Sequence, residues 1–157
     1  MAPKPKTYRF DITPQTSVRA TQGDRILFKI GKAKLRPQGL KRLLRLERYN
    51  NYKEDVSAIA KQKRFDFPYQ GAHIKFYIPC PKSWSKKKKL QYHGSLHTSR
   101  PDVDNLTKAI FDSLFSEDKN IADVRISKFW VDFETGWIDI EVSKPDFPEI
   151  PRVLAVV

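Results

Sequence analysis

Two spacings of apolar residues run through this chain, and no single kind of element satisfies both. From Ala72 to Pro79 the pattern alternates, with Ile74, Phe76 and Ile78 on one side and His73, Lys75 and Tyr77 on the other. A period of two is that of a strand with one face buried. From Val103 to Leu114 the apolar positions are Val103, Leu106, Ile110 and Leu114, the spacing of a helix with one buried stripe. Trp137–Val142 alternates again. A chain that must hold both kinds of element, with more strands than simple strand–helix–strand units need, predicts an α+β fold. The expected architecture is a mixed β-sheet with helices packed on it. At 157 residues one domain, 1–157, is the natural size.

The other elements follow from weaker signals. Tyr8–Ile12 reads as a strand. Gln22-Gly23-Asp24 reads as a turn, and Arg25–Ile30 as the next strand. Residues 38–62 carry a basic amphipathic helix, with Asn50–Asn51 a place where it could break. Ser83 is the expected N-cap of a short helix that holds Lys86–Lys89 and stops at Gly94. Ile121–Phe133 reads as a strand, Glu134-Thr135-Gly136 as a hairpin turn, and Trp137–Val142 as that strand's partner. Residues 1–7 are a loose basic tail, and 143–157 a Pro-rich one.

Charge narrows the function. Thirty Lys+Arg face 18 Asp+Glu, a net charge of +12, which points to a polyanionic partner. The asymmetry adds more. Residues 1–99 hold 23 basic and 6 acidic side chains (+17), and residues 100–157 hold 7 and 12 (−5). Acid gathered beside a phosphate backbone repels it unless a divalent cation neutralises it. Cys80 is the single cysteine, so no internal disulfide and no cysteine zinc site is expected, and Cys80 itself reads as a small buried hydrophobe. No apolar run approaches the roughly 20 residues that span a bilayer. The expected setting is reducing and cytoplasmic, with no membrane partner.

The acid concentrates where the helix begins: Arg100-Pro101-Asp102-Val103-Asp104-Asn105-Leu106-Thr107-Lys108. Residues two apart on a helix diverge, so Asp102 and Asp104 converge only if Asp102 is still extended. Pro101 favours that by keeping Arg100 out of the α region. Lys108, one turn beyond Asp104, can touch a phosphate. Plainer roles compete. Asp102 suits a simple N-cap, Asp104 an i,i+4 pair with Lys108, and Glu117–Asp118 a solvated turn. Lys86–Lys89 suits either a solvated face or phosphate contact. His97 reads as structural or as a substrate contact. His73 and His93 have no metal-ligand spacing. Trp84, Trp130 and Trp137 read as packing residues.

The string from Arg100 to Leu114, Arg-Pro-Asp-x-Asp-Asn-Leu-x-Lys-Ala-x-x-Asp-x-Leu, resembles the signature of the RusA family of Holliday-junction resolvases. The likeness is dense over about residues 97–130 and takes in Glu117–Asp118, Arg125 and Lys128. It implies catalytic and metal-binding roles for Asp102, Asp104 and Asp118, and a catalytic role for Lys108. The acidic pair follows the helix more closely than in the best-known member and is Glu-Asp, so Asp123 competes with Asp118, which Arg125 and Lys128 favour. The likeness further implies Mg²⁺ or Mn²⁺, a homodimer and a branched-DNA substrate. The expected activity is a metal-dependent endodeoxyribonuclease that resolves four-way junctions by paired symmetric nicks, in a bacterial or phage-encoded, nucleoid-associated protein. Lys34, Arg36, Lys41, Arg42, Lys86, Lys87, Lys88, Lys89 and Arg100 are the expected DNA contacts. A non-catalytic basic nucleic-acid binder and a less selective branched-DNA nuclease are the rivals.

Overall fold

Ala72–Pro79 forms strand β2 over the whole alternating stretch, and the sheet is built around it. The computed structural model describes residues 4–144 and 148–150. Strands β1 (Thr7–Phe10), β3 (Val124–Val131) and β4 (Trp137–Val142) join it in the order β1-β4-β2-β3. β3 runs parallel to β2, and β4 antiparallel to both β2 and β1. The helices are α1 (Gln22–Ile30), α2 (Pro37–Gln62), α3 (Lys86–Tyr92) and α4 (Val103–Leu114), with a short 3-10 turn at Lys32–Lys34. One mixed sheet with helices packed on it is the α+β class the two spacings predict.

The register explains the core. Ile74 lies opposite Ile140, and Phe76 opposite Ile138, so their side chains share a face with Phe10. Tyr52 and Val56 of α2 and Leu106, Ala109 and Ile110 of α4 cover that face. Each fully buried Val, Leu, Ile or Phe among them stabilises by about 1.5–3 kcal/mol. The opposite face is polar and aromatic. Arg9 forks onto Asp139 at 2.9 and 3.0 Å, Lys75 meets Glu141 at 3.0 Å, and Tyr77 stacks between Phe129 and Trp137. Trp84 and Trp130 pack on each other, and Cys80 is buried, in keeping with packing roles for the tryptophans. α2 runs through Asn50–Asn51 without a break because Leu46, Tyr49, Tyr52 and Val56 form one continuous buried stripe. At 1.5 Å per residue it is about 39 Å long.

Several local expectations fail, each for a physical reason. Arg25–Ile30 is helix, not strand. The Thr21 N–H donates to the Asp24 carboxylate at 2.7 Å, and the Arg42 guanidinium forks onto the same carboxylate with two 2.9 Å bonds. That start fixes a helical turn, and the alternating apolar residues end up facing solvent. The short helix is capped by Ser85, whose Oγ accepts from Lys88 N–H at 3.2 Å. Ser83 comes too early, inside a turn in which Trp84 N–H bonds Pro81 O. β1 stops at Phe10 because Ile12 N–H turns back to the Phe10 carbonyl. β3 begins only at Val124, since the Ala122 N–H is taken by Tyr69 O.

The largest difference is the pairing of β4. β3 and β4 do not form a hairpin, because β2 lies between them. The connection Asp132–Gly136 passes over the end of β2, bridging two strand spacings, about 9.6 Å. At Gly136 a Cβ would sit 2.1 Å from the Tyr77 carbonyl oxygen and 3.0 Å from the Pro79 ring. The glycine is needed for this close crossing, not for a turn with positive φ. Residues 1–3 of the basic tail, and 145–147 and 151–157 of the Pro-rich tail, lie outside the described residues. Among the described residues no helix is long and apolar enough to cross a membrane.

Candidate active site

The segment before α4 runs along the outer edge of β3. Gly94 N–H bonds Trp130 O at 2.8 Å, Trp130 N–H bonds Ser95 O at 3.0 Å, and His97 N–H bonds Lys128 O at 2.9 Å. Lys128 then reaches over that edge, and its ammonium donates to the carbonyl oxygens of Ser99 and Pro101. The chain entering α4 is thereby tied to the sheet immediately before Asp102.

Asp102 is the N-cap residue in extended conformation, φ −74° and ψ 144°, and its carboxylate makes no capping bond. The convergence condition set by the sequence is therefore met. Asp104 is exposed on the first turn, and its Oδ1 accepts only from the next N–H, that of Asn105, at 2.9 Å. Among the described residues neither aspartate has an ion-pair partner. The pair of Asp104 with Lys108 does not form. Lys108 turns the other way and meets Asp112 at 2.9 Å. Asp112 also accepts the Tyr49 hydroxyl at 2.8 Å. The bond to Asp112 raises the Lys108 pKa, and the charge of Asp118 adds to the effect.

Asp102, Asp104 and Lys108 lie on the start and first turns of α4 and Asp118 in the chain that follows it, and the carboxylates do not close on a point. Among the described residues no three His, Cys, Asp or Glu side chains are placed to hold a metal together. The donor chemistry still fits a hard divalent cation. The carboxylates are exposed and free of cations among the described residues, and Mg²⁺ characteristically takes one or two carboxylates together with waters and substrate phosphates. Asp123 is also exposed, immediately before β3.

His97 is structural. It is buried, stacks on Trp130 at 3.4 Å between centroids, and accepts Ser99 N–H at Nδ1. Burial, helped by the Lys128 charge, holds its pKa below the usual imidazole value. The expected DNA contacts divide. Lys34, Arg36, Lys41, Lys86, Lys87, Lys88 and Arg100 are exposed, and Lys89 is half-buried. Lys88 lies 4.1 Å over the Trp84 ring. Arg42 is engaged by Asp24 and by the Arg19 carbonyl, so it serves the fold of α1. Sequence reasoning missed Asp112, Tyr49 and Lys128 as supports of the site. Asp112, at i+4 from Lys108 and inside the quoted motif, and Lys128, within the stretch of likeness, carried a signal; Tyr49 carried none.

Comparison with known proteins identifies the family. The family model described as endodeoxyribonuclease RusA matches residues 30–143, a stretch that holds all four site residues but leaves out β1 and nearly all of α1. An uncharacterized protein of Bacillus subtilis (strain 168), YqaN, is 36% identical over 90 residues. That alignment covers 50% of this chain and 63% of YqaN, under two thirds of its length.

Proposed function

Because the chain belongs to the RusA endodeoxyribonuclease family, we propose that it resolves four-way DNA junctions by paired symmetric nicks, acting as a homodimer with Mg²⁺ or Mn²⁺. The observation that carries this reading is the pair Asp102 and Asp104 at the start of α4, exposed and without a cap bond or an ion-pair partner among the described residues. A plain cap would engage the Asp102 carboxylate, and a plain surface pair would join Asp104 to Lys108; neither contact forms.

Asp102, Asp104 and Asp118 would hold the cation. A bound divalent ion supplies charge neutralisation at the phosphate and an acidified water. Lys108, kept protonated by Asp112, would donate to a non-bridging oxygen of the scissile phosphate and stabilise the charge that grows there. Tyr49 and Asp112 would orient Lys108, and Lys128 would fix the approach to Asp102. The exposed cations of α2 and α3 would bind the arms through their phosphates, with strong salt dependence. A two-fold dimer would present two such sites to a substrate of matching symmetry.

The test is cleavage of a synthetic four-way junction beside linear duplex and flap DNA, in Mg²⁺ and in EDTA. Wild type should nick the junction in symmetric pairs only with metal. Asp104→Asn should cut at least 100-fold more slowly and bind the junction as tightly or more so, since it removes an anionic charge near phosphate. A variant that cuts at the wild-type rate would remove Asp104 from the site. Equal cutting of flaps and junctions would replace the resolvase with a general branched-DNA nuclease.

A further inference from the structure

α1 turns apolar side chains outward: Ile26, Phe28 and Ile30 are 59%, 50% and 43% exposed. Phe28 lines a groove of about 410 Å³ between α1 and α2. Val18, Leu46 and Tyr49 line it as well, together with the cations Arg25 and Lys53 and with Asp24, which is paired with Arg42. Resting on the reading of the chain as a branched-DNA nuclease, we propose that this groove receives an unpaired nucleobase from the branch point, stacked on Phe28.

Three observations support this occupant. The first is shape and chemistry. The volume falls in the range of small-ligand sites, roughly 300–1,000 Å³, and a half-exposed aromatic with cations in the same lining suits a flat base attached to a phosphate. The second is electrostatic. Residues 19–48 hold ten basic and two acidic side chains, and both acids are already paired, Asp24 with Arg42 at 2.9 Å and Glu47 with Lys32 at 3.0 Å. No free carboxylate of this segment repels a backbone. The third is position. Ser17 N–H bonds Asn105 O at 3.1 Å, beside Asp104. Tyr49 of the groove wall bonds Asp112, which holds Lys108. The groove is thus tied to both ends of the candidate site.

A second copy of the chain fits this face less well. On a helix, Arg25 and Lys29 fall between the Ile26/Ile30 flank and Phe28. A two-fold contact sets the same patch against itself, which would bring these cations together. A polyanion with an exposed base satisfies cations and apolar flanks alike. In the open form of a junction a base at the crossover keeps one stacking neighbour instead of two, which lowers the cost of extruding it.

The experiment places 2-aminopurine at the crossover of a four-way junction and measures fluorescence and affinity in EDTA, with a paired duplex as control. Wild type should raise the fluorescence on binding. Phe28→Ala should abolish the rise and weaken junction binding by roughly 5- to 150-fold, with duplex affinity unchanged, and Phe28→Trp should restore both. Junction binding without a fluorescence change, or unaltered binding by Phe28→Ala, overturns the proposal while leaving the nuclease reading intact. A shift of Phe28→Ala to a smaller species in sedimentation overturns it in favour of a subunit interface. If wild type binds no branched DNA, both readings fall together.

Discussion

Gly136→Ala should destabilise the fold sharply, although the change adds one methyl group at a position that reads as a loop. The new Cβ would lie 2.1 Å from the Tyr77 carbonyl oxygen, 3.0 Å from Pro79 Cδ and 3.1 Å from Pro14 Cδ. None of these is the free end of a flexible side chain. Two are proline ring atoms, and the third is backbone of the inner strand, hydrogen-bonded on both sides. Relief requires the crossing to lift away from β2. Overpacking costs about 1–3 kcal/mol, occasionally more, and backbone overlap with no flexible neighbour belongs at the upper end, about 3 kcal/mol. For a chain of this length 1 kcal/mol shifts Tm by about 2–4 °C. The expected fall is therefore about 6–12 °C, read by circular dichroism in thermal melts. Gly23→Ala is the control. Its nearest neighbour is Thr21 Oγ1 at 3.9 Å, and it sits in α1, so it should leave Tm unchanged or raise it. A Gly136→Ala melt within about 2 °C of wild type would refute the close crossing over β2, because no methyl group fits 2.1 Å from the Tyr77 carbonyl oxygen.

Lys128→Met should lower kcat on a junction by about 10-fold or more through a looser approach to Asp102, with junction affinity nearly unchanged; Lys128→Arg should recover part of the loss, and an unaltered kcat would deny Lys128 a positioning role. Replacing Lys86, Lys87, Lys88 and Lys89 with Ala should weaken binding to all DNA and flatten log K against log salt by up to about 0.9 for each phosphate no longer neutralised; an unchanged slope would make α3 a solvated face. Stability should fall as pH drops from about 7.5 to 5.5. His73 and His97 are both held below the usual imidazole value, chiefly by burial. Below about 6.5 the unfolded chain therefore binds protons that the folded chain refuses, and linkage makes stability rise with pH there. Asp24, held low by Arg42, adds a loss of the same sign only below the ordinary carboxylate range. Melts at the two pH values decide it, and a higher Tm at 5.5 would reverse the assignment. Combining His73→Gln with His97→Phe should flatten the slope.

What could be read from the sequence depended on whether a residue's neighbours were near it in the chain. β2 and α4 were legible because alternation and a 3.6-residue stripe are local patterns with clear ends. α1 was not. Arg25–Ile30 alternates well enough for a strand, and a partner 18 residues away, Arg42 on Asp24, holds the helix start. The pairing of β4 was also hidden. A period of two says that Trp137–Val142 is a strand but not which strand lies beside it, and Gly136 looks the same whether it makes a turn or slips past a carbonyl.

The site divides along the same line. The spacing of Asp102 and Asp104 after Pro101 announced a pair at a helix start, but a cap and a metal ligand share that spacing. What separates them is the hydrogen bond that Asp102 does not make and the turn of Lys108 away from Asp104 toward Asp112. A carboxylate held exposed, without a cap bond or a cation, forgoes stabilisation of about 0.5–2 kcal/mol that an N-cap contact typically provides. The fold instead ties the backbone before Asp102 to Lys128 and the lysine after Asp104 to Asp112, which also accepts the Tyr49 hydroxyl. The supports are saturated and the acids are left open. That arrangement suits a site completed by a cation and a phosphate better than one whose only task is to start a helix.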